Sequence, residues 1–118
     1  MKVTFNQNLC NVEFLNYADN DNVAIQLVTK RKGKREDDLI ATATVNTDLV
    51  INQNFVAIKG WSENTGIEQA LIDAGVICSS PVGAVRCGME VAKVFELTRT
   101  AIEHKISKET EQEGEETK

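Results

Sequence analysis

Apolar and polar side chains alternate along the first half of the chain, and near residue 60 the spacing changes. Val3/Phe5, Cys10/Val12/Phe14 and Val23/Ile25/Leu27 place apolar groups two residues apart, with Thr4, Asn11, Glu13, Ala24 and Gln26 between them. That is the period of strands burying one face. Asn6-Gln7-Asn8 and Ala18-Asp19-Asn20-Asp21-Asn22 separate the runs and are rich in residues that tolerate turn and left-handed backbone, so the early strands are expected to join as hairpins. Leu39 to Val45, with β-branched Ile40, Thr42, Thr44 and Val45, predicts a fourth strand and Phe55–Ile58 a fifth. Asn6-Gln7-Asn8 recurs as Asn52-Gln53-Asn54. Three residues are too few for an internal repeat, and shared turn chemistry accounts for the recurrence.

Beyond Gly60 the period becomes about 3.6: Ile67, Ala70, Leu71 and Ala74 form one stripe, while Glu68, Gln69 and Asp73 point elsewhere. A helix is predicted from near Ser62–Asn64 to near Gly75, with Ser62 or Asn64 capping its start and Gly75 turning the chain after its end. Ser79-Ser80-Pro81-Val82-Gly83 reads as a turn between Val76-Ile77-Cys78 and Ala84-Val85-Arg86-Cys87, and Glu90 to Leu97 alternates again. Two or three late strands follow, then a short helix between Arg99 and Lys108. The expected fold class is α+β: an antiparallel sheet of about five to seven strands with one principal packed α-helix and a disordered or frayed C-terminal tail. Residues 1–98 are expected to form a single domain and 99–118 a charged extension, acidic from 109.

Composition places bounds on this reading. A chain of 118 residues, 42% apolar and 26% charged, fits one globular domain. The net charge of −5 is unevenly spread: residues 109–118 carry five Glu against Lys118, leaving 12 basic and 13 acidic groups over the rest. A DNA mimic needs acids distributed over its folded surface, so that class is disfavoured. The opening Met1–Asn8 lacks the apolar stretch of a signal peptide, and no apolar run approaches a membrane span. The expectation is a cytoplasmic protein in a reducing compartment, with no membrane partner.

Candidate chemistry is sparse. Cys10, Cys78, Cys87 and His104 have the composition of a zinc site but lack close ligand pairs, so core packing of the thiols is the better reading and no metal or cofactor is expected. Gly60-Trp61-Ser62-Glu63-Asn64-Thr65-Gly66 has neither the Gly-Lys-Ser/Thr ending of a phosphate loop nor the spacing of a nucleophile elbow. With one histidine near the chain end, no catalytic residues emerge, and the chain is expected not to be an enzyme.

The order of segments resembles a family of small uncharacterised phage, plasmid and bacterial proteins. The resemblance covers roughly residues 1–97 and is carried chiefly by Ala41-Thr42-Ala43-Thr44-Val45-Asn46 and by Ser62-Glu63-Asn64-Thr65-Gly66, a Ser-Glu-Asn-x-Gly helix start. It implies a mobile-element origin and a small α+β domain and supplies no activity, cofactor or site residue. The chain departs from it at Lys30 to Arg35 and in its acidic end, so a function carried there would be particular to this chain.

Two surfaces remain. Lys30, Arg31, Lys32, Lys34 and Arg35 put five cations in six residues between predicted strands, suited to phosphate or an acidic protein surface. Glu36, Asp37 and Asp38 follow, and no aromatic residue interleaves the run to stack bases, so a solvated loop is the simpler reading. Trp61, the single Trp, stands at a strand-to-helix junction, where it either covers the end of the core or, with Ser62, Glu63 and Asn64, anchors an interface. The expected function is a small non-enzymatic interaction protein that binds and modulates a host macromolecule, a host protein before all, as a defence-system inhibitor does. A binding module for nucleic acid, through the basic run, or for a small ligand is the alternative.

Overall fold

The computed structural model describes the backbone of residues 1–30 and 37–116 and the side chains of residues 1–29 and 38–107. Four strands, β1 (Lys2–Phe5), β2 (Asn8–Asn16), β3 (Val23–Lys30) and β4 (Asp37–Thr42), form an antiparallel meander in chain order. The first hairpin turns on two residues only, since Phe5 pairs with Asn8 and both Asn6 (φ 49°) and Gln7 (φ 67°) are left-handed. That geometry matches the twist of the strands it joins. A second antiparallel sheet contains β5 (Phe55–Ile58), β6 (Gly83–Cys87) and β7 (Glu90–Glu96), in the order β5-β7-β6. The α+β class and the seven strands agree with the alternation, but the strands make two sheets.

The division occurs inside the expected fourth strand. Through Thr42 it pairs with β3; beyond it, the Ala43 N–H still donates to Ile25 O at 2.8 Å while Ala43 O accepts from Lys59 N. Val45 N–H then donates to Ala57 O, and Thr44 bridges Ile58. One stretch of chain thus serves as the last strand of the first sheet and the seam to the second. Val76–Cys78 contributes only a bridge, between Ile77 and Leu97.

The main core lies between the sheets and the helices. Val3, Cys10, Val12, Ile25 and Leu27 from the meander meet Val56, Ile58 and Phe95 from the second sheet, and all are buried. Helix α1 (Ile67–Asp73) adds Ile67 and Leu71, both fully buried and one turn apart, as the stripe predicts. It begins later than expected. Ser62–Asn64 forms a separate 3₁₀ turn, with Ser62 at φ 55°, and Gly66 at φ 92° resets the chain before α1. Neither Ser62 nor Asn64 caps α1: no side chain bonds its first turn, and Asn64 Nδ2 donates to Thr42 O at 2.7 Å. The C-terminal expectation holds, with Gly75 at φ 75° donating to Ile72 O and Val76 N–H donating to Leu71 O.

A second helix, α2 (Arg99–Glu116), begins at Thr98, whose Oγ1 accepts the Ala101 N–H at 3.1 Å and donates to Gly75 O at 2.6 Å. Ala101 is fully buried in the core. Lys105, 7% exposed, donates from Nζ to Gln53 O at 2.6 Å, and the His104 ring lies 5.9 Å from that of Phe14. The first turns of the charged extension are therefore packed onto the domain, across the boundary expected at residue 98. The disordered or frayed end expected from 109 falls on positions whose side chains lie outside the described residues. Among the described residues no helix is long and apolar enough to cross a membrane.

Candidate interaction groove

Trp61 is half-buried on the outer side of the second sheet, away from the main core. Strand alternation explains the side. Ala57, Lys59 and Trp61 are two residues apart, and Ala57 pairs with Val94, so this face carries Ala57, Ala92 and Val94 with Phe55, Val85 and Cys87 around them. The small alanines leave room for a covering segment. Residues 45–51 fill it, with Val45 and Ile51 packed on the same cluster.

Asparagine side chains hold that covering loop. Asn22, 3% exposed, donates from Nδ2 to Leu49 O at 2.8 Å, and its Oδ1 accepts the Ile51 N–H at 2.8 Å. Asn20 Nδ2 donates to Thr47 O, and Asn46 Nδ2 donates to Asp19 Oδ1, both at 2.8 Å. Residues expected only to form the turn between β2 and β3 therefore tie that turn to the loop some 27 residues away. Asn52-Gln53-Asn54 likewise differs from its counterpart at Asn6-Gln7-Asn8: Gln53 Nε2 donates to Asp21 O, its Oε1 accepts from Asn16, and its backbone O accepts from Lys105.

Between the loop and the β6–β7 turn lies an open groove of about 480 Å³, with Val45, Trp61 and Cys87 as its apolar lining and Asp48, Lys59 and Glu90 among its polar groups. The Trp61 indole N–H has no acceptor among the described residues and is not sealed from solvent, so it is a donor open to an incoming group. Burial pushes the Cys87 thiol above its ordinary value, and the negative charge of Asp48 pushes it the same way. Lys59 is committed: its Nζ bonds Glu63 Oε1 at 2.6 Å, which holds the Glu63 carboxyl below the usual carboxylate range. Met89, at the turn beside the groove, is fully exposed, as Leu49 and Val50 largely are on the loop side.

The structure separates the four residues expected around Trp61. Trp61 lines the groove, while Glu63 and Asn64 line a second cleft of about 420 Å³ beside β4. Asn64 is 1% exposed and fastens the 3₁₀ turn to β4, so it is a structural residue. Ser62 is exposed and lines neither cleft. Asp48, Met89 and Glu90 had no distinguishing sequence pattern, since they meet Trp61 only through pairing of distant segments, and Cys87, expected to pack in the core, is instead half-buried in the groove lining. The backbone of Lys30 pairs with Asp37 at the end of the β3–β4 ladder. The Lys30 side chain and Arg31, Lys32, Lys34 and Arg35 lie outside the described residues.

Cys10, Cys78 and Cys87 form no disulfide, and Cys10 is buried. Among the described residues no three His, Cys, Asp or Glu side chains are grouped to hold a metal ion. No protein-family model, curated protein or solved structure matches the chain.

Proposed function

We propose that this chain is a non-enzymatic interaction protein that binds a host protein through the Trp61 groove and modulates it, consistent with the mobile-element origin suggested by its resemblance to small phage and plasmid proteins. The observation that carries this reading is the setting of Trp61: a half-buried indole with an open N–H, in an apolar groove with a charged rim and the exposed Met89 beside it. Large aromatic anchors set in partly desolvated pockets and ringed by polar groups dominate the energetics of protein interfaces. Met adapts to irregular partner surfaces. The groove is wide and open, and burial together with the Asp48 charge disfavours the thiolate of its Cys87, which suits recognition of a macromolecule better than chemistry on a small substrate.

Affinity capture from host lysate, followed by mass spectrometry, tests this. The wild type is compared with Met89→Glu, which changes only an exposed side chain, and with a variant in which Lys30, Arg31, Lys32, Lys34 and Arg35 are all Gln. A protein retained by the wild type and by the Gln variant but lost from Met89→Glu is the expected result. Nucleic acid retained by the wild type and lost from the Gln variant, with no protein dependent on Met89, would favour the alternative of a nucleic-acid module.

A further inference from the structure

Building on the groove as the binding site, we propose that it recognises a cationic side chain, an arginine or lysine of the partner protein, seated against the Trp61 ring and paired with the carboxylates of Asp48 and Glu90. The charge of the groove carries this inference. Asp48 on the covering loop and Glu90 at the start of β7 both line it, and neither has an ion-pair partner among the described residues. Its one lysine, Lys59, is neutralised by Glu63 at 2.6 Å. Arg86 also borders the groove, but it pairs with Val91 whereas Cys87 pairs with Glu90, so strand alternation directs its side chain to the opposite face of the sheet. The side chains facing the groove thus leave two negative charges uncompensated beside an aromatic ring. An indole face attracts a cation through its quadrupole, and carboxylates at the rim supply the counter-charge that a partly desolvated guanidinium or ammonium group requires.

Two further clefts among the described residues lack this character. The cleft of about 460 Å³ beside α1 has its Lys93 and Glu68 paired at 3.7 Å across it. In the cleft beside β4, Lys59 and Glu63 are paired, Tyr17 bonds Thr44, and Asn64 is committed to Thr42. Of these three, the Trp61 groove is the one that sets two unpaired carboxylates beside an aromatic side chain.

Trp61 is the sole tryptophan, so its fluorescence reports on this groove alone. The probes are acetyl-Gly-Arg-Gly-amide and the matched acetyl-Gly-Gln-Gly-amide. A saturable change is expected with the Arg peptide and none with the Gln peptide. The response should weaken as salt rises from about 20 to about 300 mM, where the Debye length falls several-fold. The double variant Asp48→Asn/Glu90→Gln, checked for an unchanged unfolding midpoint, should bind the Arg peptide about tenfold more weakly or worse. No saturable response to the Arg peptide, or equal affinity in the double variant, would overturn the proposal. The same double variant in the lysate capture separates this inference from the reading beneath it. If a protein lost from Met89→Glu is retained fully by the double variant, the groove stands as an interface and its preference for a cation does not. Capture indifferent to Met89 would remove both.

Discussion

The carboxamide of Asn22 clasps the chain at Ile51: its Oδ1 accepts the Ile51 N–H at 2.8 Å while its Nδ2 donates to Leu49 O at the same distance. The Asn22 end of both bonds is buried, since Asn22 is 3% exposed. They seat the segment that forms one wall of the Trp61 groove, so a residue of the β2–β3 turn governs the geometry of a surface on the other sheet.

Asn22→Ala removes both bonds, and a longer one to Asn46 Oδ1, and leaves the Ile51 N–H without its partner, while Leu49 O keeps the bond it accepts from Thr47 Oγ1 at 3.0 Å. A polar group so stranded costs about 1–3 kcal/mol when buried. The expected loss in a urea unfolding experiment is about 1–3 kcal/mol, together with faster amide exchange at Ile51. A change below about 0.5 kcal/mol would mean that the loop is held by its apolar contacts instead.

Lys105 presents the same relationship for α2, reaching back to Gln53 O from a 7% exposed position. Lys105→Met keeps the apolar stem and removes the ammonium donor. It should lower stability by about 1.5–3 kcal/mol, the range for hydrogen bonds to charged groups, and should alter the His104 ring signals in NMR as its packing on Phe14 loosens. Unchanged stability and His104 shifts would show that the ammonium contributes little to docking of the helix.

These two residues mark where legibility from sequence ends. The buried set Val3, Phe5, Cys10, Val12, Ile25 and Leu27 follows directly from alternation, and Ile67 with Leu71 from helical spacing, because both signals are local and the side-chain periods differ. The split into two sheets was not legible, because it depends on a change of partner within Ala41-Thr42-Ala43-Thr44-Val45, where β propensity is uniform. Trp61 was visible as a candidate from its type and junction position. Asp48 and Glu90 were not, since they join it only once Asn46 and Cys87, 41 residues apart, come together. Asparagine in a turn carries two possible roles, local turn former and remote clasp, and composition does not distinguish them.

The first hairpin offers a stabilising change. Gln7 sits at φ 67°, a left-handed conformation that costs a residue with a Cβ about 1–2 kcal/mol relative to glycine. Gln7→Gly relieves that strain at some entropic cost, so the thermal midpoint should rise by the equivalent of about 0.5–1 kcal/mol. A lower midpoint would indicate that the Gln7 side chain makes a compensating contribution.

The Lys59–Glu63 pair sets a pH dependence. The Glu63 carboxyl is held low chiefly by its hydrogen bond from Lys59, with its own backbone N–H and the Lys59 charge acting in the same direction. A carboxyl depressed in the folded state stabilises it above the ordinary carboxylate value, and that contribution is lost as pH falls through the lowered folded value. In an NMR titration, Lys59→Met should return the Glu63 midpoint upward toward the ordinary value, and salt should do so in part. A midpoint insensitive to both would contradict the pairing.

The central claim, that Trp61 and its surroundings are the binding surface, is tested most directly by placing a photoreactive benzoylphenylalanine at Met89 in the full chain and illuminating it in host cells. Met89 is fully exposed at the rim of the groove, so the substitution leaves the packing of the domain intact. The account predicts one covalent adduct with a host protein, formed from position 89, absent when the same group replaces Leu9 on β2, and lost when Trp61→Ala is combined with the probe. Adducts that form from Leu9 but not from position 89, or that are unaffected by Trp61→Ala in a chain that remains folded, would contradict it.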